Sequence, residues 1–231
     1  TASPDATSLG FSAGGNISIA DGVAVNSGGG LISMSAGGNL TLSNLNSEGG
    51  SMFLTGVSII DAGDGGFGYD LNSGGGLISF NITTNIGGTS FTDAIEIADS
   101  KLAFIADSNN QNIYLDAGLS TAAITIDSID YDGGNGLNFN FQSTNGADLI
   151  IDGIIDDSNT GTADAASFNF QMTTLNSDFT VTDGNTLRSR GNDITINAGG
   201  DVSLSKLWSD GGAINITADN IIDTGATSAD I

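Results

Sequence analysis

Short alternating apolar runs, glycine-centred turns and a unit recurring at about twenty residues predict an all-β fold. The expected architecture is a right-handed parallel β-helix of about nine rungs, about 20–25 residues each, forming a single domain over residues 1–231. The alternation is strict within each run. Ile32 and Met34, Leu40 and Leu42, Ile194 and Ile196, Val202 and Leu204, and Ile214 and Ile216 face one way. The Ser, Thr or Asn between each pair faces the other. Successive side chains of a strand point to opposite faces, so this period of two marks strands with one buried side.

The unit itself is clearest in two places. Residues 29–48 read GGLISMSAGGNLTLSNLNSE, and residues 191–210 read GNDITINAGGDVSLSKLWSD. Residues 9–28 and 211–231 have the same layout. A sandwich pairs neighbouring strands through hairpins, whereas a solenoid stacks like positions of successive units. Recurrence at the length of a rung selects the solenoid. The turns carry Gly14-Gly15-Asn16, Gly37-Gly38-Asn39 and Gly199-Gly200-Asp201. They are expected to use the positive φ that glycine adopts without strain. Further rungs are placed at 49–74, 75–108, 109–134, 135–165 and 166–190, with loops emerging at 61–75 and 156–167. Rungs about 4.8 Å apart give a rod roughly 40–45 Å long.

Composition supports an all-β chain. Of 231 residues, 35 are Gly and one is Pro (Pro4), and the 27 acidic residues include only two Glu, Glu48 and Glu96. Four residues are basic (Lys101, Arg188, Arg190, Lys206), and His and Cys are absent. The chain thus avoids Glu and Lys, which favour helices, and uses Asp, Asn, Ser, Thr and Gly, which favour turns and strands. The net charge of −23 repels nucleic acid and anionic membrane, and four cations cannot line a basic groove. No run approaches the roughly 20 apolar residues that a spanning helix needs, so no membrane insertion is expected.

The runs Gly37-Gly38-Asn39-Leu40-Thr41-Leu42, Gly199-Gly200-Asp201-Val202-Ser203-Leu204 and Gly211-Gly212-Ala213-Ile214-Asn215-Ile216 resemble the shaft of filamentous-haemagglutinin-type exoproteins. Large repeat adhesins and autotransporter passengers use similar rungs. The resemblance covers the first quarter and last fifth of the chain closely, and the middle by pattern alone. It implies export from a bacterium to its surface, and service as a stalk that displays adhesive elements. The Asn-Pro motif of that family's secretion domain is absent, because Ser3 precedes Pro4. The chain is therefore expected to be shaft. Neither end shows an amphipathic helix to cap the open strand edges, so the reading expects neighbouring rungs of a parent chain or copies stacked end to end.

Polysaccharide lyases and hydrolases also use parallel β-helices, so catalysis is a competing reading. Glycoside hydrolysis needs two carboxylates across a cleft, and Asp156-Asp157 is an adjacent pair. The polygalacturonase group also needs a His and an Arg-x-Lys, which this chain lacks. Without His or Cys, the usual serine and cysteine triads and zinc sites are excluded. No other cofactor is implied. Calcium remains the candidate metal, since it takes carboxylate and carbonyl oxygens. Residues 124–136, ITIDSIDYDGGNG, and 149–161, LIIDGIIDDSNTG, align at an offset of 25. Asp127 then meets Asp152, and Asp132 meets Asp157. Direct stacking would hold these like charges about 5 Å apart, so any calcium is expected between Asp127/Asp132 and Asp152/Asp157. Phe139, Phe141, Phe168 and Phe170 alternate as core strand residues. Trp208 is expected to pack on a neighbouring rung rather than serve as a sugar platform. Three functions compete: an adhesive or structural stalk, a self-assembling extracellular fibre, and a polysaccharide-active enzyme.

Overall fold

A computed structural model describes residues 6–63, 68–106, 110–131, 136–155 and 165–225. The first turn of the chain carries β1 (Leu9–Ala13), β2 (Ile17–Ser18) and β3 (Ala24–Asn26). The second carries β4 (Ile32–Ala36), β5 (Leu40–Leu42) and β6 (Asn44–Asn46). The third carries β7 (Met52–Gly56), β8 (Ile59–Asp61) and β9 (Leu71–Asn72). The fourth has β10 (Leu77–Ile82), β11 (Asn85–Ile86), a 3-10 turn (Phe91–Asp93) and β12 (Ile95–Ala98). Two rungs then have two strands each: β13 (Lys101–Ile105) with β14 (Asn112–Asp116), and β15 (Ile124–Asp130) with β16 (Leu137–Ser143). The seventh has β17 (Leu149–Ile151) and β18 (Ala166–Met172). The eighth has β19 (Phe179–Val181), β20 (Thr186–Arg188) and β21 (Ile194–Ala198). The ninth has β22 (Val202–Leu204), β23 (Lys206–Trp208) and β24 (Ile214–Thr217), and β25 (Ile221–Asp223) begins a tenth.

The paired strands are parallel, and each pairs with the strand one turn before or after it. This is the parallel β-helix that the repeat predicts. One column runs the length of the molecule, in the order β1-β4-β7-β10-β13-β15-β17-β19-β22-β25. Its shortest step pairs Val202 with Ile221, 19 residues on. Its longest pairs Leu149 with Phe179, 30 residues on. Rungs therefore vary more in length than the expected 20–25 residues.

The other columns are not continuous. β2-β5-β8-β11 forms a second column and β3-β6-β9-β12 a third. Both end on β14. β11 pairs its first half (Asn85 with Asn112), and β12 pairs its second half (Glu96 with Asp116). A merged column continues as β14-β16-β18-β21-β24. A new column opens through the bridges Ile129–Ile155 and Ile155–Leu187, and β20 pairing with β23 extends it. Three columns become two and then three again.

This rearrangement relocates the repeat. In the 29–48 unit, β4 lies in the continuous column and β5 in the second. In the 191–210 unit, β21 lies in the merged column, and β22, the counterpart of β5, lies in the continuous one. The two copies thus occupy different faces. A solenoid permits this because each rung must match only its neighbours.

Alternation is realised as burial. Ile32, Met34 and Ala36 are buried and Ser35 is exposed, and Ile194, Ile196 and Ala198 are buried between half-exposed Thr195 and Asn197. One apolar core extends from Ile19 to Leu207.

The corners explain the conserved spacing within the units. Ser27, Ser47, Ser73, Ser189 and Ser209 each donate from Oγ to the carbonyl three residues on, at 2.5–2.6 Å. The next residue takes positive φ even where it is Glu48 (50°), Arg190 (50°) or Asp210 (54°). The residue after that is glycine, with φ between 84° and 121°, in all five corners: Gly29, Gly49, Gly75, Gly191 and Gly211. Only glycine adopts that backbone readily.

The Gly-Gly-Asn and Gly-Gly-Asp turns work differently from expectation. Their glycines are not at positive φ. They are needed for close approach: a Cβ on Gly37 would lie 2.4 Å from the Gly14 carbonyl oxygen, and one on Gly199 would lie 2.1 Å from that of Thr174. The polar residue links rungs. Asn16 Oδ1 accepts from the Asn39 N–H at 2.9 Å, and Asp178 Oδ1 accepts from the Asp201 N–H at 2.7 Å.

Candidate functional site

Of the expected calcium residues, Asp127 and Asp152 lie midway along the stack of rungs. Ile126 pairs with Ile151, so the offset of 25 holds and Asp127 and Asp152 follow on adjacent rungs. Asp127 occupies a bulge, since Leu102 pairs with Ile126 but Ala103 pairs with Ser128. The chain is tight there, because a Cβ on Gly153 would lie 1.6 Å from the Asp127 carbonyl oxygen. Asp152 is exposed and its Oδ1 accepts from the Thr182 hydroxyl at 2.8 Å. Asp132 and Asp157 lie outside the described residues, as does Asp156 of the adjacent carboxylate pair.

A different acidic group is assembled three rungs from the amino-terminal end. Asp61 ends β8, Asp70 immediately precedes β9, and Glu96 lies in β12. One carboxylate oxygen from each lies within 4.8 Å of the other two. Strand register causes the meeting. Leu71 pairs with Ile97, which sets Asp70 beside Glu96, and the Asp70 N–H donates to the Glu96 carbonyl at 2.9 Å. Leu45 pairs with Leu71, which sets Asn44 on the other side of Asp70. Asn44 directs its amide to the Tyr69 carbonyl at 3.0 Å. Asp61 is fastened by the Gly63 N–H, which donates to its Oδ1 at 2.5 Å.

Asp70 is fully buried. Its Oδ2 accepts a long hydrogen bond, 3.3 Å, from the Glu96 N–H, and its Oδ1 has no hydrogen-bond partner among the described residues. Burial, and then the neighbouring carboxyls of Glu96 and Asp61, push the Asp70 carboxyl up to about 10. An ion in a poorly solvated site is costly, and like charges beside it add to the cost. At neutral pH such a group must hold a proton or meet a cation.

This cluster went unseen in the sequence, although a signal exists. Asn44-Leu45-Asn46-Ser47 and Asp70-Leu71-Asn72-Ser73 are 26 residues apart, and Glu96-Ile97 follows after another 26. The same tetrapeptide layout recurs as Thr186-Leu187-Arg188-Ser189 and Lys206-Leu207-Trp208-Ser209. Aligning these would have stacked the two acids.

The phenylalanines are core, as expected: Phe139, Phe141, Phe168 and Phe170 are buried. Trp208 pairs in register with Arg188 of the preceding rung, whose guanidinium carbon stands 5.4 Å from the ring centroid. The indole remains 44% exposed. Arg188 also pairs with Asp210, whose carboxyl it holds below the usual range. Trp208 therefore packs on its neighbour and still lines an open groove with Leu207, Ser209 and Ile214.

Comparison with models of protein families gives no match, and searches of curated proteins and of solved structures give none either.

Proposed function

We propose that the chain is a rigid β-helical stalk segment of a secreted bacterial surface protein of the filamentous-haemagglutinin type, serving display or adhesion. The observation that carries this reading is the uninterrupted ten-strand column over one continuous apolar core. Such an array has backbone hydrogen bonds along its axis and a filled interior, which resist bending and collapse. The acidic exterior keeps exposed strands soluble and discourages lateral association. Antibody raised against the chain should label intact cells of the source bacterium. Labelling that requires permeabilised cells would overturn the surface assignment.

A second reading is a fibre subunit that stacks end to end. It is favoured by apolar side chains left open on the outermost described rungs: Phe11 and Val23 at one end, Ile221 and Ile222 at the other. Light scattering that shows rods lengthening with protein concentration supports this reading. A constant monomer mass argues for the stalk alone.

A further inference from the structure

We infer that Asp61, Asp70 and Glu96 bind a hard divalent cation of calcium's size, held between the third and fourth rungs. Three independent observations support the site. The first is the span. Oxygens no more than 4.8 Å apart lie within about 2.8 Å of a common centre, close to the roughly 2.3–2.6 Å of calcium–oxygen bonds. The donors are all carboxylate oxygens, and the chain has no His or Cys, so the set suits calcium rather than zinc or copper.

The second is the unmet need of Asp70. It is wholly buried, yet Oδ1 accepts no hydrogen bond from a described residue. Buried polar atoms normally have a partner, and an orphan marks a place where an ion or water completes the structure. The protein supplies no cation for this. The charges acting on Asp70 are those of Glu96 and Asp61, both acidic. Arg188, Arg190 and Lys206 belong to the eighth and ninth rungs, and Lys101 is exposed at the start of β13.

The third is access. Asp61 also lines a pocket of about 280 Å³ together with Ile60, Gly87, Gly88 and Asp93. Asp61 is thus the member of the cluster that borders open space. The elements are already fixed by pairing, so the site is formed before the ion arrives.

The competing occupant is a proton shared by Asp70 and Glu96. Binding of a cation expels it, which separates the two states experimentally. Chelator-stripped protein is titrated with calcium chloride by calorimetry in two buffers of different ionisation enthalpy, with melting temperature followed in parallel. One calcium per chain, release of protons to the buffer and a raised melting temperature are expected. Asp70→Asn keeps the shape of the protonated acid and should fold, while weakening calcium at least tenfold. Glu96→Gln should do the same, and serves if Asp70→Asn does not fold. Asp152→Asn should retain the response. Absence of heat and of any thermal shift in the wild-type chain overturns the site. So does an undiminished calcium response in both variants, or an equal response to sodium chloride at matched ionic strength.

Discussion

The second and third rungs are filled by aliphatic side chains, and the rungs around β16 and β18 by aromatic rings. Ile32, Met34, Leu40, Leu42 and Leu45 fill the second rung, and the phenylalanine of the third, Phe53, points outward at 45% exposure. In the middle the rings turn inward. Phe80 stacks on Phe104 at 4.8 Å, and Phe168 on Phe170 at 6.0 Å. Phe139 contacts Phe104, Phe168 and Phe170. Three of the strands around these rings are also long. β15, β16 and β18 have seven residues each, against three in β5 and β6. Longer sides enclose a larger cross-section, and close packing then requires larger side chains. Phe53 is surface by alternation, in register with Ser33 and Ser79, whereas Phe139 and Phe168 take inward positions.

The contrast is most severely tested by Phe139→Ala and Phe53→Ala. Phe139→Ala should cost about 3–5 kcal/mol in chemical denaturation, whereas Phe53→Ala should stay within about 0.5 kcal/mol. Equal costs would break the distinction.

Among the described residues, the amino-terminal rungs bury a carboxyl and the aromatic rungs do not, and pH should reveal it. Asp70 faces Glu96 from β12, Asp61 from β8 and the uncharged Asn44 from β6. Its folded pKa lies above its unfolded value, so between the two the folded state holds a proton that the unfolded state releases. Stability in chelator should therefore fall as pH rises from about 4 towards neutrality, by up to about 1.4 kcal/mol per unit. Asp70→Asn should flatten that slope. A wild-type melting temperature independent of pH over this window would show that Asp70 ionises normally.

Smaller effects are expected at the corners. A Cβ at Gly50 would lie 2.0 Å from the Gly30 carbonyl oxygen, so Gly50→Ala should cost about 1–3 kcal/mol through forced separation of rungs. The serine hydrogen bond is the mildest test. Ser47→Ala and Ser189→Ala should each cost about 1 kcal/mol. Their near equality would show that the corner is one structure used on two faces, and a twofold or larger disparity would show that its column matters.

Much of the fold was legible in the sequence because the signals were local. Ile194 and Ile196 declare a buried face without any knowledge of partners, and the 25-residue offset of Asp127 and Asp152 survives in the pairing of Ile126 with Ile151. The glycines were located correctly but assigned the wrong reason. Positive φ is a property of one residue, whereas the contact between Gly37 and Gly14 belongs to two rungs. The merger on β14 was hidden for the same cause. It depends on which of two columns pairs with which half of one strand, and Asn85 and Glu96 carry no mark of that choice. Asp70 and Glu96 were overlooked because each is unremarkable alone. Their chemistry arises from a 26-residue register and from burial, neither of which a single segment displays.

The merger on β14 also bears on how such a chain evolves. Tandem duplication copies a unit into the same angular position at every turn. A stretch in which two sides fuse and a new side opens works as a phase shifter, advancing every later copy around the axis. Corner loops at the two ends of the rod then look out in different directions. One inherited module can thereby address two sides of its surroundings without any change in its own residues.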